Sequence, residues 1–130
     1  MNTNQIALCK WITAGLQIPE VRQFHGDSKY LLNNMIAKYT LADDQYRLSV
    51  GALSHLQSLE VDLTKVHLRR TFYGKDSPLI YEHAIPATVI RDILLKVEPT
   101  EEKVAEVLQK AGAVVAMLRT EDQCLNMVGL

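Results

Sequence analysis

A chain of 130 residues, 48% hydrophobic and 22% charged, has the length and balance of one globular domain with its own core, which excludes a disordered or fibrous chain. Its formal net charge of -1 excludes a nucleic-acid or membrane role driven by whole-chain charge, so any such role must rest on local charge. The two cysteines, Cys9 and Cys124, are far apart and form no C-x-x-C pair, so a structural zinc site of the usual kind is not expected.

Residues 2–17 read as a helix: Ile6, Cys9, Trp11, Ile12 and Leu16 recur at roughly helical spacing, Thr3 or Asn4 can cap the start, and Trp11 is expected in the core. Pro19 opens a short helix over 19–25 that Gly26 stops. Asp27 or Ser28 caps a third helix over 29–39, with Leu31, Leu32, Met35 and Ile36 as its apolar face. The longest helix is expected over 41–60. Asp43 and Asp44 suit its first turn, and Tyr46, Val50, Leu53 and Leu56 trace one stripe. Character changes after Leu63. Residues 64–73 fit a helix capped by Thr64 and ended by Gly74, with a strand as the alternative. GKDSP at 74–78 is a turn signal, and 79–83 follows as a short strand. A helix over 86–97, with Pro86 at its first position, buries Val89, Ile90, Ile93, Leu94 and Val97. Thr100 caps the next helix, 101–111, and Gly112 ends it. The apolar run 113–118 reads as a buried strand. Thr120 and Gln123 have capping-box spacing and start a last helix through Val128, stopped by Gly129.

The expected fold is therefore α+β and predominantly α. It is a single domain over 1–130, with a helical part (1–63) and an α+β part (64–130) built on a small two-stranded sheet. The first residues show no leader-like pattern and no apolar run is long enough to cross a bilayer. The expectation is a cytoplasmic protein with reduced thiols and no membrane partner.

The pair Glu82-His83 stands directly before Ala84-Ile85-Pro86. An imidazole can take a proton from water and a carboxylate can hold a divalent cation. In a strand the two side chains point to opposite faces, so they share a site only where the strand end bends. The plainer reading is a surface glutamate and a partly buried histidine. Lys65, His67, Arg69, Arg70, Tyr73 and Lys75 form the densest basic run in the chain, interleaved with aromatics. On a helix Lys65 and Arg69 share a face, which suits phosphate contacts with Tyr73 or Phe72 stacking on a base. The plainer reading is a solvated face paired with Asp62 and Asp76. His25 and His55 read as structural or solvent-facing, and Cys124 as buried.

Glu82-His83-Ala84-Ile85-Pro86 resembles the first half of the HNH nuclease signature, in which an acidic residue, a histidine and an apolar-apolar-Pro run end the first strand of a ββα-metal unit. Leu125-Asn126 is similar to the end of some divergent members. The resemblance implies His83 as general base, and Glu82, Asp122 and Asn126 on the side of a divalent metal, Mg or Mn. It also implies nucleic acid as substrate, held through Lys65, Arg69, Arg70, Tyr73 and Lys75. The helices over 86–97 and 101–111 interrupt the unit, and no histidine follows His83. Two readings stay open. One is a divergent metal-dependent nucleic-acid phosphodiesterase, or a nuclease-derived domain that has lost its activity. The other is a non-catalytic phage or mobile-element interaction or inhibitor protein that binds a protein or nucleic-acid partner.

Overall fold

A computed structural model describes residues 1–23, 27–42 and 46–127, with the backbone alone at 27 and 28. In chain order the elements are α1 (Thr3–Leu16), α2 (Pro19–Arg22), α3 (Asp27–Leu41), β1 (Arg47–Leu48), α4 (Val50–Ser58), α5 (Leu68–Thr71), β2 (Leu79–His83), α6 (Ala87–Leu94), α7 (Glu101–Ala111), β3 (Val114–Leu118) and α8 (Arg119–Met127). The fold is α+β and predominantly helical, as expected. No helix among the described residues is long and apolar enough to cross a membrane. The chain forms two compact units threaded through one another in sequence. The first holds Met1–Asp43 and His83–Ala113, the second Asp44–Glu82 and Val114–Leu130.

The first unit is helical. Asn2 opens α1 with a reciprocal cap: its side chain accepts from the Gln5 N–H at 2.9 Å, and the Gln5 side chain accepts from the Asn2 N–H at 3.1 Å. Neither Thr3 nor Asn4 is the cap. The Asn2 side-chain amide donates to the Ala42 carbonyl at 2.7 Å and that of Gln5 to the Tyr39 carbonyl at 3.4 Å. These bonds tie the start of α1 to the end of α3, so the two helices run antiparallel. Arg22 donates to the Leu95 carbonyl at 2.9 Å, satisfying an orphan acceptor at the end of α6. Thr100 caps α7 as expected, accepting from the Lys103 N–H at 3.3 Å. The core takes Cys9, Ile12 and Leu16 from α1, Leu32, Ile36 and Tyr39 from α3, Ile90 and Leu94 from α6, and Val104, Leu108 and Ala111 from α7.

The second unit holds a three-stranded sheet in the order β1-β3-β2. β1 pairs in parallel with β3, Arg47 opposite Val115 and Leu48 opposite Ala116. β2 and β3 run antiparallel: the Arg119 N–H donates to the Pro78 carbonyl at 2.8 Å, and the Ala84 N–H to the Ala113 carbonyl at 2.9 Å. The expected pairing of 79–83 with 113–118 is therefore present, with a third strand added. Ala52, Leu56, Leu68, Leu79 and Ala116 make this unit's core.

Three expected helices are corrected. The long helix over 41–60 is not continuous, because residues 47 and 48 pair with β3 and Ser49 starts α4 by accepting from the Ala52 N–H at 3.0 Å. A ladder partner distant in sequence outweighs the helical spacing, and Val50 and Leu53 of the expected stripe are exposed. Of residues 64–73 only Leu68–Thr71 are helical. Asp62 accepts from the Thr64 N–H at 3.0 Å and its hydroxyl at 2.6 Å, holding the preceding residues in a turn. His67, not Thr64, is the cap, accepting from the Arg70 N–H at 3.3 Å. The last helix starts at Arg119, with Thr120 inside it. The expected roles of His25, Gly26, Asp43, Asp44, Val128 and Gly129, and of the Asp27 and Ser28 side chains, lie outside the described residues.

Glu121, rather than the Thr120–Gln123 pair, anchors the start of α8. Its carboxylate accepts from the Ser49 hydroxyl at 2.6 Å and the Leu118 N–H at 2.9 Å, and it lies against Gly51, where a Cβ would meet it at 2.7 Å. The Ser49 hydroxyl, then the Leu118 and Gly51 amides, hold this carboxyl below its ordinary value of 4.5. The folded state thus resists protonation that the unfolded chain accepts. The contribution is fully present above the ordinary value and is lost as pH falls through the depressed one. In acid unfolding curves the stability gap between the parent and Glu121→Gln should stay constant above pH ~5 and close progressively at lower pH. A gap that does not change with pH would remove this carboxylate's role.

Candidate functional site

Glu82 and His83 end β2. Glu82 is exposed and His83 half-buried, as strand alternation requires, so their side chains leave opposite faces and do not converge. His83 Nδ1 lies 3.4 Å from the hydroxyl oxygen of Thr40, a fully buried residue. That hydroxyl donates to the Ala37 carbonyl at 2.8 Å, leaving its oxygen to accept from an Nδ1–H and making Nε2 the basic ring nitrogen. The tautomer suits a proton acceptor. It equally suits a histidine that packs against Thr40.

Asp122 and Asn126 do share a face of α8, and the Asn126 amide donates to the Asp122 carboxylate at 3.4 Å. His83 belongs to the first unit, whereas Glu82, Asp122 and Asn126 belong to the second. Among the described residues no three His, Cys, Asp or Glu side chains gather where they could hold one metal ion.

The basic run is less regular than helical spacing suggested. Lys65 precedes α5 and pairs with Asp62 at 3.7 Å, so it shares no helical face with Arg69. The Arg69 guanidinium stacks on the Tyr73 ring, 4.8 Å from its centroid. Arg70, Tyr73 and Lys75 are exposed. Arg119 donates to the Ser77 carbonyl at 3.0 Å and the Gly74 carbonyl at 3.2 Å, fixing the turn that carries Lys75. Gly74 sits there at φ +107, where side chains are strained. Behind the run, the Tyr81 hydroxyl lies 2.6 Å from the Phe72 carbonyl and 3.1 Å from that of Leu68. Burial, with Tyr46 beside it, pushes this phenol up to about 12, so it stays a donor that ends α5.

A well-formed concavity lies elsewhere, in the first unit. A half-open apolar groove of about 450 Å³ runs between α1 and α3 and is closed by α2. Trp11, Ala14, Gly15, Ile18, Val21, Leu31 and Met35 are among its lining residues, with Lys10 the one charged side chain among the described residues. Trp11 is 71% exposed, Leu31 59% and Ile18 48%. Trp11 is thus not a core residue, and Cys124 is exposed where burial was expected. The signal for the groove was present in α1. Cys9, Ile12 and Leu16 make one stripe at helical spacing, and Trp11 lies on the opposite side, in line with Ile18 just beyond the helix end. A helix apolar on both sides has a second surface to cover. No family model, no curated protein and no solved structure matches this chain.

Proposed function

We propose that this chain is a non-catalytic interaction protein that engages a protein partner through the α1–α2–α3 groove of its first unit. The observation that carries this reading is Trp11, largely exposed in the wall of an apolar concavity. Contiguous exposed apolar surface marks interaction sites, and tryptophan is among the side chains that dominate binding energy at interfaces. Trp11→Asp and Leu31→Asp should leave the melting temperature nearly unchanged, since both positions are exposed. They should weaken partner binding by roughly 30-fold or more, the loss of one hot-spot side chain. Quantitative co-purification of parent and variants from the native cell measures it. Identical partner recovery by all three proteins would overturn the reading.

A second reading, nucleic-acid binding by a nuclease-derived chain, is favoured by one observation. β2 and β3 are antiparallel neighbours and α8 follows β3 directly, which restores a ββα order across the interrupting helices. Arg69, Arg70, Tyr73 and Lys75 would meet the phosphates. In that case the double change Arg69→Ala, Arg70→Ala weakens binding and flattens its salt dependence by about two counterions. Electrophoretic mobility shift across a salt series tests it, and absence of binding by the parent at low salt removes the reading.

A further inference from the structure

We infer that the occupant of the groove is an amphipathic helix of the partner, apolar along one stripe and acidic at one end. The inference rests on the interaction reading above and names the partner's chemistry. The lining runs along α1 from Lys10 and Trp11 to Gly15 and on to Ile18 at the start of α2, and along α3 from Leu31 to Met35. Trp11 to Ile18, two residues past the end of α1 but with its N–H still bonded to the Gly15 carbonyl, spans about 10 Å at ~1.5 Å per residue. Apolar anchors at i, i+4 and i+7 of a docked helix span the same distance. Ala14 and Gly15, between Trp11 and Ile18, keep the floor low enough for a helix backbone to approach. The groove is half-open, so it covers one face of its occupant, unlike a small-molecule pocket that encloses most of its ligand.

Charge gives the occupant its direction. Because α1 and α3 are antiparallel, Lys10 and Met35 mark the same end of the groove. Lys38 lies one turn beyond Met35, on the stripe of Leu31 and Met35. Both lysines are exposed, and neither is ion-paired among the described residues. Among the described residues the lining contains no acidic side chain. One end is therefore cationic and the rest apolar, the complement of a helix with an apolar stripe and terminal carboxylates.

Trp11 is the chain's single tryptophan, so its emission reports the groove alone. The probes are three synthetic helical peptides with one leucine stripe at i, i+4 and i+7, ending in paired Glu, Gln or Lys. The Glu peptide should shift Trp11 emission to the blue and bind tightest, with the Gln peptide weaker by roughly 3–10-fold and the Lys peptide weaker still, differences that shrink with added salt. Lys10→Glu with Lys38→Glu should reverse the ranking, with unchanged melting confirming the fold. Lys10→Glu alone, at an exposed mid-helix position, should compress the ranking. Equal binding of all three peptides would overturn the acidic end. Binding of none of them, while Trp11→Asp still loses the natural partner, would overturn the helical occupant and leave the interaction reading standing. A parent dimer that Trp11→Asp breaks and no peptide displaces would identify a second copy as the occupant and overturn the inference. Retention of all partners by Trp11→Asp would instead defeat the interaction reading, a result read from co-purification and not from the peptides.

Discussion

Leu108→Ala should lower unfolding free energy by about 2–5 kcal/mol, the usual cost of emptying a leucine site in a packed core. Leu108 is fully buried on α7, in the cluster that unites α1, α3, α6 and α7. Its loss removes apolar contact and leaves a void that close-packed neighbours fill only in part. Leu125→Ala on α8, at 39% exposure, is the control and should move stability by no more than about 0.5 kcal/mol. Urea unfolding with both variants gives the comparison. A small effect at Leu108 would mean that α7 is not part of a consolidated core, and the groove on the same unit would lose its rigid backing.

His83→Ala separates the two functional readings most sharply. For an interaction protein, the parent cuts neither plasmid DNA nor RNA in Mg²⁺ or Mn²⁺, and the change only lowers stability, by about 1–3 kcal/mol, because the buried Thr40 hydroxyl loses a partner. That is the expected result. Metal-dependent cleavage by the parent that drops ~10²–10⁴-fold in the variant, with the fold intact, would instead establish His83 as a general base. The nuclease-derived reading would then replace the interaction reading as the account of this chain. Cleavage and melting must be measured on the same preparations, since an unfolded variant also loses activity.

Most helices were legible because their signals are local. Pro19, Thr100 and Gly112 mark boundaries through the chemistry of one residue and its immediate neighbours, and the buried face of α7 follows from spacing along a single helix. In α6 only Ile90 and Leu94 of the expected face are buried, Val89 and Ile93 are exposed, and Pro86 is the cap rather than the first helical residue. The errors share a different cause. The expected helix over 41–60 failed at β1, whose partner β3 lies more than sixty residues later in the chain. The segment 64–73 shortened to α5 because the Asp62 side chain holds a turn before it and the Tyr81 hydroxyl claims a carbonyl at its end. Helical spacing does not record such competitors.

The candidate sites divide the same way. Asp122 and Asn126 meet as their spacing on α8 required, and Glu82 and His83 diverge as strand alternation required. The exposure of Trp11 could not be settled by composition, because a tryptophan on a two-sided apolar helix is compatible with core or surface until its neighbours are known. The amino-acid sequence by itself determined the helical class, the boundaries at Pro19, Thr100 and Gly112, the pairing candidates 79–83 and 113–118, and the basic character of 65–75. Only the tertiary structure decided that α6 and α7 join the N-terminal helices, that β1 completes the sheet, and that α1 has one apolar face covered and one left open. The physical reason is common to all three. Local backbone preferences act within a few residues, whereas burial and strand pairing depend on which distant segments fill the space alongside.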